Sequence, residues 1–169
     1  YFATRTLPVL NKAVGEGELK KSDLRQFCRR LAQICYFTYH DKTVLCCHGG
    51  VSGLKQNPIF ISTEQFIRGV GKYKDYSAIA ESFIKNTPNN IYQISGHRNI
   101  EELPVQVNER CFNLEGAVEK GGYLRIVTLD ENGFETYELK NNVFSINDCA
   151  ADEDYGESTK ISLDEVSVE

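Results

Sequence analysis

Apolar residues along this chain change their spacing near Tyr36. Upstream, Leu24, Phe27, Cys28, Leu31, Ile34 and Cys35 recur at helical intervals, with Arg25, Gln26, Arg29, Arg30 and Gln33 between them. That periodicity predicts an amphipathic helix from Leu24 through Cys35, with Ser22-Asp23 as its N-cap. Its arginines form either a solvated face or a nucleic-acid surface. Residues 1–21 contain Pro8, Gly15, Gly17 and Lys20-Lys21 and read as a loop region with room for a short helix. From Tyr36 to Tyr39 the chain is β-prone, and His40-Asp41-Lys42 reads as a turn. Thr43 to Cys47 is a continuous apolar run, as suits a strand covered on both faces. It runs into His48-Gly49-Gly50, where glycine allows a sharp change of direction.

Helical and strand signals then alternate. Ser62-Thr63-Glu64-Gln65 opens a helix containing Phe66, Ile67 and Val70, which Gly69 and Gly71 end early. A second helix is predicted over Tyr76 to Lys85, with Ile79, Ala80, Phe83 and Ile84 inward, and Thr87-Pro88-Asn89-Asn90 stops it. Ile91 to Ser95 reads as a strand ending at Gly96-His97. Beyond Pro104 the pattern predicts strands at Val105–Asn108, Arg110–Leu114, Tyr123–Leu129 and Phe134–Leu139. Asp130-Glu131-Asn132-Gly133 forms the hairpin turn between the last two. No internal repeat is present.

Composition narrows the class. The chain has 169 residues, 41% of them hydrophobic and 11% aromatic, enough for one core. No apolar run approaches the ~20 residues of a membrane helix, and no signal peptide is recognisable. The net charge of −5 is unevenly spread: residues 147–169 hold eight acidic residues and one lysine, which leaves +2 for the other 146. Residues 1–146 therefore form the folded part, and 147–169 an acidic linker or a free acidic tail. The near-neutral body shows no large basic patch for nucleic acid. None of the six cysteines forms a C-x-x-C pair, so zinc-ribbon and thioredoxin-like readings fall away. Free thiols in apolar runs fit a reducing, cytoplasmic setting. The chain lacks methionine and starts abruptly at Tyr1-Phe2-Ala3-Thr4, as expected of a piece of a longer polypeptide.

Two of the three histidines share one context. His48 and His97 each follow an apolar stretch and adjoin glycine. Two strands could deliver both imidazoles to one metal, imidazole being a common metal ligand; two structural histidines is the alternative. His40 lies in a charged turn. Catalytic metals need three or more protein ligands, and neither Asp-x-His nor His-x-x-x-His accompanies this pair. Arg98, beside His97, is a candidate phosphate contact or an ion-pair partner of Glu101 or Glu102.

Three segments in order carry a resemblance. Cys46-Cys47-His48-Gly49-Gly50-Val51-Ser52 resembles the C-C-H-G-G-[LIV]-S segment of calcineurin-like metallophosphatases of the phosphoprotein-phosphatase branch. Ser95-Gly96-His97-Arg98 resembles the later G-H motif of that family. Cys111 to Val118, followed by Gly121-Gly122-Tyr123-Leu124, resembles its final strands. Order and spacing agree over residues 1–140, approximately. Gly96-His97-Arg98-Asn99 and Phe66 to Gly71 further resemble a phage and bacterial subgroup associated with RNA repair, in which the phosphatase is fused or adjacent to a polynucleotide kinase or an RNA ligase.

The resemblance implies an α/β (α+β) fold, the carboxyl-terminal half of a four-layer α/β/β/α sandwich. It implies that His48 and His97 hold the second of two divalent metals, manganese first, with iron or zinc as alternatives. The remaining ligands and the general-acid histidine would lie in an amino-terminal half, in Asp-x-His, Gly-Asp-x-x-Asp-Arg and Gly-Asn-His-Glu motifs that this chain lacks. The implied reaction is hydrolysis of phosphomonoesters, of polynucleotides first, by metal-activated hydroxide. A phosphoprotein Ser/Thr phosphatase and a non-catalytic scaffold half-domain are the alternatives. Arg98 would contact phosphate; Arg68 is a weaker candidate. The chain alone is expected to be nearly inactive, and a half-sandwich with open strand edges is expected to self-associate or to be marginally stable.

Overall fold

The computed structural model describes residue 4, residues 6–54 and residues 61–143. Residues 147–169, expected as an acidic linker or tail, lie outside them. The chain divides into two compact units, residues 1–32 and 33–169.

The first unit carries two helices, α1 (Leu7–Gly15) and α2 (Lys21–Arg30). Pro8 sits in the first turn of α1, where the missing N–H is harmless. Helix α2 corrects the sequence expectation at both ends. It starts after Lys20, which offers no side-chain cap, and Ser22 bonds Asp23 instead. It stops at Arg30, where Leu31 is already extended (φ −64°, ψ 127°). Ile34 and Cys35, which fit the helical spacing, belong to a strand. A full ladder of backbone bonds to the next strand outweighs one more helical turn, because helix propensity is a weak preference.

The second unit is a mixed α/β fold. Its five-stranded sheet runs in the order β1 (Ile34–Tyr39), β2 (Lys42–Cys47), β3 (Ile91–Ser95), β5 (Cys111–Asn113), β4 (Gln106–Asn108). β1 and β2 form an antiparallel hairpin closed at His40-Asp41, where His40 takes φ 52°. β2–β3 and β3–β5 are parallel, and the chain crosses from β2 to β3 through α3 (Thr63–Arg68) and α4 (Tyr76–Lys85). Ser62 Oγ caps α3 by accepting from Gln65 N–H, and Gly69 ends it at φ 83°. The bounds of α4 and β3 are those the sequence predicts. β6 (Tyr123–Asp130) and β7 (Gly133–Lys140) form a separate hairpin whose turn is held by Asp130 Oδ1, the acceptor for Asn132 and Gly133 N–H.

Register decides what each sheet face carries. Leu45, Gln93 and Cys111 align across the strands, and Leu45 and Cys111 pack in one cluster with Val51, Phe66, Tyr76, Ala80 and Phe83. Val44, Tyr92 and Phe112 lie on the opposite face. There Phe134 from β7 seats its ring 4.7 Å from both Tyr92 and Phe112, docking the hairpin. Val44 and Leu45 are both fully buried, so β2 is covered on each face as its apolar run implies.

Two buried polar side chains tie loops to this frame. Gln93 accepts from Val51 N–H (2.7 Å) and donates to Val51 C=O (3.2 Å), so β3 holds the chain leaving β2. Arg110 donates to Thr87 Oγ1 and to the carbonyls of Ile84 and Pro88, a cation at the carboxyl end of α4. Among the described residues no helix is long and apolar enough to cross a membrane.

Leu45→Ala opens a cavity at the centre of the cluster and is expected to lower stability by about 3 kcal/mol, whereas Leu139→Ala on the exposed hairpin should change it by less than about 0.5 kcal/mol. Urea unfolding of both variants measures the contrast.

Candidate metal centre

β2 and β3 are parallel neighbours with Cys46 opposite Ile94, so their carboxyl ends emerge side by side. His48 follows β2 and His97 follows β3. Gly96 N–H donates to the His48 carbonyl at 2.9 Å and joins the two loops. The imidazoles face each other with centroids 4.5 Å apart and planes inclined by 37°. His48 is exposed and His97 half-buried. The two histidines that the sequence singles out are thus brought together.

His97 takes φ 70°, in the left-handed region that side chains other than glycine rarely adopt. Several bonds support it. Tyr73 Oη donates to the His97 carbonyl, and the Tyr73 ring meets the imidazole edge-on at 5.5 Å. Arg98 N–H donates to the Gly96 carbonyl at 2.9 Å. Asn113 Nδ2 donates to the Arg98 carbonyl at 3.1 Å, while its Oδ1 accepts from Glu115 N–H at 2.9 Å. Such strain is kept where the surroundings over-determine it, commonly at functional sites.

The loop after β2 lies backbone to backbone against the loop after α3. Gly49 N–H donates to the Phe66 carbonyl (2.8 Å) and Val70 N–H to the Gly50 carbonyl (3.3 Å). A Cβ on Gly49 would stand 2.0 Å from Gly69 N, and one on Gly69 would stand 2.2 Å from Gly49 O. Both glycines are required by this approach. It also brings Arg68, half-exposed and 3.5 Å from Glu64, into the electrostatic neighbourhood of His97.

Arg98 aims its guanidinium at the loop after α3. It is fully buried, and its Nη1 donates to the carbonyls of Val70 (2.7 Å) and Lys72 (3.3 Å). Its guanidinium lies 5.7 Å from the centroid of the Tyr76 ring. Nε and Nη2 are buried without a partner. Burial lowers its pKa from the ordinary arginine value. Glu101 instead accepts from Ser77 N–H (3.1 Å) and Ser77 Oγ (2.8 Å), so the Arg98–Glu101 pair that the sequence allows is not formed.

The pKa of His97 is lowered below the ordinary histidine value, first by burial, then by His48, Arg98 and Arg68, against an opposing pull from Glu115. A neutral imidazole is the form that binds metal. The donor chemistry therefore fits a borderline divalent cation, but only in part: among the described residues no three His, Cys, Asp or Glu side chains lie close enough to hold one. The described residues bring two imidazoles together here, and a complete metal site needs more ligands.

Sequence reasoning missed Tyr73, Asn113 and Glu115. Asn113 and Glu115 lie in the Cys111 to Val118 segment used for the resemblance, but their role depends on β5 pairing beside β3. Tyr73, between two lysines, carries no signal beyond that of a solvated loop. Comparison with protein-family models, curated proteins and solved structures finds no match to this chain.

Two outcomes are expected. In an NMR titration, His97 should protonate below the model-peptide value of about 6.5. Since the unfolded chain then binds more protons than the folded one, this histidine's share of stability is full above that value and is lost as pH falls toward the folded pKa. Gly69→Ala combines a positive φ with the collision at Gly49 O, and should cost more than about 1 kcal/mol and shift the His48 resonances.

Proposed function

We propose that this chain is part of a metal-dependent phosphomonoesterase, to which it supplies His48 and His97 as ligands of one metal in a two-metal site. The observation that carries the reading is the pair of imidazoles at the ends of adjacent parallel strands, with centroids 4.5 Å apart. The order of the three motif segments supports it. The fold on this reading is the carboxyl-terminal half of a four-layer sandwich, and exposed Phe37 and Tyr39 on β1 accord with a sheet that awaits further layers.

Bound divalent metals, manganese first, would supply Lewis acidity and lower the pKa of water at neutral pH. The chain's own residues have distinct parts. His97, whose pKa burial and nearby cations lower, is biased toward the neutral form that keeps a lone pair for the metal. Its left-handed backbone, fixed by Tyr73 and Asn113, aims the ring at His48. Arg68 presents an accessible cation on the same side, suited to a phosphate oxygen. Arg98 keeps Nε and Nη2 unpartnered and is the second phosphate candidate, reached only if the Val70–Lys72 loop yields. Polynucleotide phosphomonoesters are the proposed substrates, with a kinase or ligase domain as the proposed neighbour and the other metal ligands supplied by an amino-terminal half.

A scaffold role is the second reading. It is favoured by the lack of any third ligand near the pair among the described residues.

The test is phosphate release by the complete polypeptide with manganese, from a 3′-phosphorylated oligonucleotide and from a phosphopeptide in parallel. His97→Ala should lower the oligonucleotide rate by at least about 100-fold, at or beyond the loss usual for residues that merely orient a metal ligand. Preference for the phosphopeptide would move the substrate to phosphoproteins. An unchanged rate in His97→Ala would overturn the metal-ligand role, and hydrolysis of neither substrate would favour the scaffold.

A further inference from the structure

Cys35 on β1 and Cys46 on β2 are direct partners in the antiparallel ladder. Directly opposed residues project to the same face of a sheet. Both thiols are free; Cys35 is exposed and Cys46 partly so. The hairpin closes with Tyr39 opposite Lys42, and Cys35–Cys46 lies four pairs further along. Pairs alternate between hydrogen-bonded and non-hydrogen-bonded, so Cys35–Cys46 repeats the state of the pair flanking the turn. Either state sets the Cα atoms about 4.5–5.5 Å apart, within the range of about 4.4–6.8 Å that a disulfide spans. Exposed disulfides are the readily reduced ones, and Cys35 is exposed. Cys47, next in sequence, is no competitor: it points to the other face, with its Sγ 3.9 Å from Gln93 Oε1.

We infer that Cys35 and Cys46 form a reversible, dithiol-reactive site that takes low-molecular-weight disulfides of the glutathione class. The Cys35 thiolate attacks one sulfur of oxidised glutathione, forming a mixed disulfide and releasing one glutathione thiol. The Cys46 thiolate then attacks the Cys35 sulfur, closing the protein disulfide and releasing the second. Two electrons pass from the cysteine pair to the glutathione disulfide, and the two thiol protons end on the two glutathiones. The site rests on ladder register alone and stands whether or not the histidines hold a metal.

Peptide mapping tests it. The chain is equilibrated with oxidised glutathione, quenched by alkylation and cleaved with trypsin, which separates Cys35 (residues 31–42) from Cys46 and Cys47 (residues 43–55). A dithiothreitol-sensitive link between these peptides is expected in the wild type and in Cys47→Ser, and its loss is expected in Cys46→Ser. If Cys46→Ser does not fold, fragmentation of the linked wild-type peptide identifies the sulfur, Cys46 supporting the assignment and Cys47 overturning it. A link that persists in folded Cys46→Ser, or Cys35 left as a stable glutathione adduct with no link, overturns it as well.

Discussion

One backbone hydrogen bond, from Gly96 N–H to the His48 carbonyl at 2.9 Å, joins the loops that carry the two imidazoles. It can form only because β2 and β3 are parallel neighbours with their carboxyl ends level. That arrangement in turn depends on α3 and α4 crossing over the cluster around Leu45, Phe66, Tyr76 and Phe83. Core, crossover and site are thus one chain of dependence. Ligand sites at the carboxyl ends of parallel strands are common in α/β sheets for this reason.

The same region holds an electrostatic tension. Arg98 is a buried cation, next to His97 in sequence, whose hydrogen bonds go to carbonyls and whose charged form is favoured by Asp75. Burying a charge is unfavourable unless it is well paired and hydrogen-bonded. The guanidinium is partly compensated by the Val70 and Lys72 carbonyls and by the Tyr76 ring. Its effect on His97 is to favour the neutral ring, which suits a metal ligand. Arg68 acts on the ring in the same direction, and Glu115 opposes both arginines.

Much of this was legible in the sequence. The bounds of α4 and β3 could be read because periodicity and stop signals coincide, with Thr87-Pro88-Asn89-Asn90 lying between them. His48 and His97 could be singled out from their shared context. What the sequence could not settle was competition between elements. Ile34 and Cys35 fit a helical stripe and a strand equally well, and the long-range ladder with β2 decided for the strand. Arg98 shows the same limit for a side chain: the sequence offers it to a phosphate or to Glu101 or Glu102, but the carbonyls of a distant loop draw it inward. Tyr73 gains its role only through the left-handed turn at His97, which no local pattern announces. A direct observation of metal between the two imidazoles is the physical test of the proposed site.

Anomalous diffraction at the zinc edge from crystals of the complete polypeptide soaked in zinc is that observation. The account predicts a peak between the two rings, within about 2.1 Å of one nitrogen from each. Zinc bound elsewhere, with His48 and His97 in place and bare, would contradict it.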